Sequence, residues 1–459
     1  MDQFLNFDCH KGSKNFVHNQ DILEPQSLIT IFLLTLPPEN IPQIMKRLFL
    51  ALSIVALLSV AYCNGAPKAS KKKSAKAKGS SEVVKIGKVL PAWSQGCLDI
   101  HFINSGRGEC CFYILPDGTT LLVDAGEIKT STTSVAQRPN DKVRPYMVYA
   151  NYIKHFLPEG RKAIDYCLAT HLHIDHIGSA ECATETAPAG YLKSGLLALY
   201  DEVPYKIVLD SMYPSYDSYE IVGGFSPSWV KFVEWGVKSK KFTAEQFEVG
   251  IEQINMLYNA KKHKNFSIFN ICANGMVWGK DKSGNVRPLG KPLTTLSNPA
   301  SCGFHIRYGA FDYLACGDLV SSPQNRFANY FRDFVGEGNL DAFKCHHHMA
   351  ANSWGSGMVK NNFNPRYLFN NTFALSQPNP EKLAHALTFA EGYFATNIHP
   401  DFKDLPLIKE QKLLNKITSY NGHIVLRVMP GGEEFYIYML DDSNFEYKVK
   451  SIHGPYKSK

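Results

Sequence analysis

The sequence predicts an α+β sandwich in which two sheets face each other and helices cover the outside. Short apolar or alternating runs fall in two groups, over residues 98–124 and 164–210 and again over 302–316 and 422–439. Helix-like stretches lie between and around them. Strands sorted into two sets, with helices to cover them, bury both faces of each sheet in this way. With 459 residues, 44% of them hydrophobic and 20% charged, the chain can build such a core without disulfide staples.

The elements follow in order. Residues 1–44 read as an upstream extension, because Met45-Lys46-Arg47 opens what looks like a secretory signal over 45–66. A basic start precedes the apolar run 48–61, and Asn64-Gly65-Ala66-Pro67 follows. The run is too short for a comfortable membrane span. The expectation is export, with a secreted or periplasmic mature chain. Residues 67–82 form a lysine-rich linker without an apolar face. This tract holds the charge: of the net +7, the stretch 68–81 carries +6 and residues 1–67 carry −1, leaving +2 on the body. A nearly neutral body argues against a broad phosphate-binding surface.

The folded region is expected over 83–459 as one domain. Strands are read at 98–104, 110–115 and 119–124, the last two joined by the Pro116-Asp117-Gly118 turn. A helix at 145–156, a buried strand at 164–170 and a strand at 205–210 follow. An insertion at about 211–264 crowds Tyr213, Tyr216, Tyr219, Trp229 and Trp235 ahead of a helix-like run at 243–262. It fits either a lid over the site or a packed helical excursion, with Tyr213, Trp229 and Trp235 as stacking platforms or as core. Strands at 302–308 and 311–316, helices at 325–334, 380–396 and 405–417, and a closing hairpin of 422–429 with 434–439 complete the chain. Nine cysteines follow residue 63, an odd number without a CxxC pair, several inside strand-like runs where a thiol behaves as a small hydrophobe. An oxidising compartment favours some pairing.

The chemistry concentrates in His171-Leu172-His173-Ile174-Asp175-His176, directly after the strand at 164–170. His171 and His173 can point one way at period two, and Asp175 and His176 can turn to a second point nearby. Four such groups in six positions are hard to explain as packing, since buried, unpaired imidazole and carboxylate are costly. The donors suit zinc, and also manganese or iron. Two ions sharing a water suit hydrolysis. His101 and His423 alternate within strands and read as surface or half-buried residues.

His-x-His-x-Asp-His after a strand resembles the signature of the metallo-β-lactamase superfamily. Leu121-Leu122-Val123-Asp124-Ala125-Gly126 is similar to that family's first motif, whose aspartate braces the metal loop, and Cys316-Gly317-Asp318-Leu319 to the strand whose aspartate bridges both ions. The ordered set Ile103 to Glu109, Pro116-Asp117-Gly118, Asn298-Pro299-Ala300-Ser301, Gly317-Asp318-Leu319 and Lys344 to His348 resembles the hydrolase domain of ComEC/Rec2-type competence proteins. That likeness covers roughly residues 97–440.

The resemblance implies an αββα four-layer sandwich with the site at one edge. It also implies two zinc ions, His171 and His173 holding the first and Asp175, His176 and His347 the second, with Asp318 between. His346 and His348 compete with His347, because the usual His-His-Gly-Ser is replaced here by His347-His348-Met349-Ala350. The family's further histidine for the first ion has no counterpart in Asn298 to Ser301; His305 and His263 lie in a strand and a helix-like run. The multi-pass channel of the uptake proteins is absent.

The function expected is an exported hydrolase in which metal-bound hydroxide attacks a phosphodiester or other phosphate ester, small or nucleic acid, with Asp175 managing the proton. No protein partner and no stable membrane span are expected. Lactone or amide hydrolysis is the alternative within enzymes. A metal-binding or sensing protein without turnover is the alternative outside them.

Overall fold

A computed structural model describes residues 84–218, 224–293, 297–321, 340–354 and 359–459. The expected leader, the lysine tract, Tyr219 of the insertion and the helix expected at 325–334 lie outside the described residues. Six strands come first: β1 (Leu98–Phe102), β2 (Cys111–Ile114), β3 (Thr120–Val123), β4 (Ile164–Leu168), β5 (Tyr205–Asp210) and β6 (Thr243–Gln246). A second set follows: β7 (Phe266–Ala273), β8 (Met276–Lys280), β9 (Val286–Gly290), β10 (Gly303–Tyr308), β11 (Phe311–Ala315), β12 (Ala342–Lys344), β13 (Tyr367–Asn370), β14 (Gly392–Ala395) and β15 (Ser419–Tyr420). The chain then returns to the first sheet with β16 (His423–Val428), β17 (Glu434–Leu440) and β18 (Val449–Lys457).

The two nine-stranded sheets run β18-β17-β16-β1-β2-β3-β4-β5-β6 and β15-β14-β13-β12-β11-β10-β7-β8-β9. Each begins as an antiparallel meander and turns parallel part-way. β3 pairs parallel with β4, Val123 opposite Leu168, and β11 pairs parallel with β12, Leu314 opposite Phe343. Parallel neighbours send their chain ends to one edge, so Asp124, the histidine loop, Asp318 and the second histidine run leave their strands together. Cys302 N donates to Thr170 O at 2.8 Å, tying the two sheets at that edge.

Three apolar layers hold the sandwich. Between the sheets, Ile100, Leu121, Phe304 and Ile306 interlock, and Phe102 stacks on Phe369 at 5.0 Å. Outside the first sheet, α1 (Pro145–Phe156), α2 (Ile174–Ile177), α3 (Gly195–Glu202) and α4 (Ser226–Lys238) lie along the chain, with Tyr149, Leu197 and Phe232 packed on Phe112 and Leu122. Outside the second, Leu383 of α5 (Pro380–Ala386) and Ile408 of α6 (Pro406–Glu410) pack on Leu314 and Phe343. This is the αββα arrangement.

Several expected elements are corrected. The helix expected over 243–262 is instead β6, hydrogen-bonded along β5, with a single turn at Ala260–Lys262. The helix expected over 380–396 starts at an Asn379 cap but stops at Ala386, because Gly392–Ala395 joins β13. The one expected over 405–417 is broken at Lys412, whose φ is +51°. In the insertion, Trp229 is core: its ring is fully buried and its Nε1 donates to Asp210 at 2.8 Å. Trp235 packs against Tyr191 and Tyr200. His101 and His423 are buried, not surface residues, because the helix layer covers the outer face of their strands. All nine described cysteines are free thiols, eight of them buried. Among the described residues no helix is long and apolar enough to cross a membrane.

Candidate metal centre

The histidine loop is positioned by main chain before any side chain acts. Ala125 N donates to His176 O at 2.8 Å and Glu109 N to Asp175 O at 2.8 Å. Gly126 lies flat on this loop; a Cβ there would collide with the Asp175 carbonyl. That close approach explains the glycine two residues after Asp124. Asp124 itself is buried, accepting from Thr170 N at 2.8 Å, Thr170 Oγ1 at 2.7 Å and His176 Nδ1 at 2.7 Å. A carboxylate on the outer nitrogen fixes the ring and leaves Nε2 facing inward.

His176 Nε2 lies 3.2 Å from Asp318 Oδ2 and 3.9 Å from Asp175 Oδ2. From the other sheet, His348 Nε2 lies 3.3 Å from Asp318 Oδ2 and 3.4 Å from Asp175 Oδ2. Ligand atoms around a tetrahedral zinc at its usual bond lengths are about 3.3 Å apart. Three of the four nitrogen–oxygen distances lie near that spacing, and that from His176 to Asp175 is longer. His348 Nδ1 donates to Asn371 O at 2.9 Å, so its outer side is also fixed.

Charge favours a cation here. Burial opposes a proton on His176, yet Asp318, Asp124 and Asp175 outweigh it and push its pKa well above the usual value. On His348 burial is likewise outweighed, first by Asp318, and the pKa rises to about 10. Burial would raise Asp318, but His348 and His176 hold it well below the carboxylate range. The same carboxylates that favour protons on two buried imidazoles would favour a metal ion in their place.

Beside this shell, His171 is buried and its Nε2 makes no hydrogen bond. Its ring centre is 4.5 Å from that of His173. Burial, with His176 second, lowers the His171 pKa well below normal, leaving a neutral lone-pair donor. Asp318 Oδ1 is buried without a hydrogen bond as well. The residues therefore fit a metal ion at the shell, with further donors beside it.

Of the expected residues, the structure brings His171, His173, Asp175, His176 and Asp318 to one edge. It does not bring His347 between Asp175 and His176. That place belongs to His348, while His347 lies on the rim, 20% exposed, 3.9 Å from Asp318. His346 is buried against Phe343 at 4.6 Å. The run turns because His347, His348 and Met349 have φ of +48°, +49° and +59°. Met349 thus takes the left-handed backbone expected of a glycine and fills the outer core with its side chain. Glu109 was missed as a site residue. It is fully buried, its Oε1 2.9 Å from Lys344 Nζ and its Oε2 3.4 Å from His348 Nδ1. It also groups with His176, Asp318 and His348 as a possible ligand. Asp175 fits the shell better, because Glu109 faces the outer side of His348 and is engaged by Lys344. Its place in the Gly106-Arg107-Gly108-Glu109 turn was the available signal.

No family model matches the chain, and no curated protein matches it. Solved structures do. A point mutant of the CmlA β-hydroxylase matches at 13% identity with a TM-score of 0.35, and CmlA, a diiron β-hydroxylase from Streptomyces venezuelae, at 12% with 0.36. Each match covers 74% of this chain but 55% of the other, so this chain spans about half the length of those enzymes. A chain from Parabacteroides distasonis assigned as a metal-dependent hydrolase matches at 10% identity and a TM-score of 0.27, over 70% of this chain and 91% of that one. The two sheets, their helix layers and the edge cluster define an αββα sandwich with a candidate metal centre.

Proposed function

We propose that this chain is a metal-dependent hydrolase acting on phosphodiester or other phosphate-ester bonds. The observation that carries it is the shell of buried His176, Asp318 and His348 with half-buried Asp175, and the unpartnered Nε2 of His171 alongside. When bound, the ions supply Lewis acidity toward the scissile ester and the attacking water. The chain's own residues do the positioning. Asp124 and Asn371 lock the outer nitrogens of His176 and His348. Asp175, 22% exposed, is the most open carboxylate of the shell. Burial would raise its pKa, but His176 and His348 hold it ionised, so it accepts a hydrogen bond from water and orients it. The phosphate-ester preference rests on the resemblance to the competence hydrolase domain. Export rests on the leader at 45–66.

Metal analysis with bis-p-nitrophenyl phosphate tests the proposal. Stoichiometric zinc, and turnover that Asp318→Ala and His173→Ala remove, is the expected result; a metal-free, inactive chain overturns it. Phosphocholine, lactone and amide substrates in the same assay define the bond cleaved. One observation favours a binding or sensing protein instead: Asn298 occupies the loop where a histidine was expected. Bound zinc without hydrolysis of any substrate in the panel selects that reading.

A further inference from the structure

We infer that Lys344, which lies outside the metal shell, is a positioning residue for it: one buried ammonium holds together the segments that carry Asp175, Asp318 and His348. The inference rests on the metal-hydrolase reading. Lys344 is the last residue of β12. Ala342 lies in the layer between the sheets, and Phe343 and Cys345 lie in the outer one. Alternation therefore sends Lys344 between the sheets, where its side chain is 2% exposed. A buried ion pair adds little to stability compared with an apolar pair of similar volume. Stability thus gives no reason for a lysine at this place; its reach does.

An ammonium has three donors, and Lys344 Nζ faces acceptors on three segments. It is 2.9 Å from Glu109 Oε1, 3.3 Å from Gly317 O and, at a longer 3.5 Å, from Cys345 O. Gly317 directly precedes Asp318, and Cys345 directly precedes the histidine run that ends in His348. Glu109 carries the hold across to the first sheet. Its backbone N donates to Asp175 O at 2.8 Å, and its O accepts from Gly126 N at 2.9 Å. Its Oε2 is 3.4 Å from the outer nitrogen of His348. The segments bearing the shell leave different strands, and they meet at Lys344 Nζ. An uncharged side chain of the same length fills the space and joins none of them.

Zinc titration of the full chain, with the visible spectrum of the cobalt(II)-loaded protein, tests this. Glu109→Gln combined with Lys344→Met removes both charges at nearly constant volume. The double variant should fold, as near-ultraviolet circular dichroism checks. It should bind zinc about 10–100-fold more weakly and shift the cobalt bands, which report the geometry of the ligand set. Asp99→Asn combined with Arg427→Met is the control. That pair is also buried, Arg427 Nη2 lying 2.6 Å from Asp99 Oδ2, but Asp99 is opposite Ile114, at the end of β2 remote from Glu109. The control should leave zinc affinity and the cobalt bands unchanged. Equal weakening in the control, or wild-type affinity and bands in the Glu109 and Lys344 double variant, overturns the inference while the metal reading stands. Should the double variant not fold, Lys344→Arg decides. It keeps the charge beside Glu109 but puts a planar fork where a tetrahedral ammonium reaches three ways. Weakened zinc in a folded arginine variant supports the inference, and wild-type affinity overturns it. If the wild type binds no zinc, both readings fall.

Discussion

The exits of β3 and β4 and the exits of β11 and β12 are built alike and used differently. In each, a strand ends in a loop carrying a buried aspartate, and its parallel neighbour ends in a loop of histidines. Asp124 spends its oxygens on three hydrogen bonds, two from Thr170 and one from the outer nitrogen of His176. Asp318 keeps Oδ1 unpaired and turns Oδ2 to the inner nitrogens of His176 and His348. A satisfied carboxylate positions its neighbours, and an unsatisfied one is left able to take an ion. The first exit shapes its histidines with a short helix, the second with three left-handed residues.

The largest expected effect undermines the second exit from below. Lys344→Met leaves buried Glu109 without its lysine partner, which should cost about 3–5 kcal/mol in denaturant unfolding. Adding Glu109→Gln should recover most of it; no recovery would mean that Lys344 acts by shape rather than charge. Asp318→Ala should lower phosphodiester turnover on the order of 10³-fold, since it removes an ion-holding carboxylate. Asp124→Asn should weaken zinc by about 10–100-fold with the fold intact. A loss equal to that of Asp318→Ala would erase the distinction drawn between the two aspartates. The smallest effect concerns a histidine outside both exits. Burial, the main cause, lowers the pKa of His423 to about 3. Its Nδ1 accepts from Asn104 N at 2.9 Å. The unfolded chain binds that proton near ~6.5, so its stabilisation is complete above that pH and fades as pH falls toward 3. His423→Gln should flatten the slope of melting temperature against pH from about 6.5 downward. An unchanged slope would assign acid sensitivity to the histidine exits instead.

The histidine loop was legible because its ligands lie within six residues and local spacing sets their directions. Asp124 and Asp318 were legible through the motifs that Asp124-Ala125-Gly126 and Gly317-Asp318-Leu319 resemble, and the two-sheet architecture through strand runs sorted into two groups. The choice among His346, His347 and His348 was not. All three are adjacent, and backbone handedness decides which ring turns inward, a property that Met349 conceals by standing where glycine is expected. The strand at Thr243–Gln246 was hidden because pairing along β5, not local periodicity, extends it. The burial of His101 and His423 was hidden because alternation implies an open face, and in four layers both faces are covered.

Gly126 has a further consequence, for evolvability. Because its α-carbon rests on the Asp175 backbone, no flexible side chain can yield to make room for a larger residue. A ligand side chain beside it can be replaced by another donor of similar reach, but position 126 offers no intermediate step. The freedom of this site to drift toward other ions or substrates therefore lies in its side chains, and its limit lies at a residue that has none.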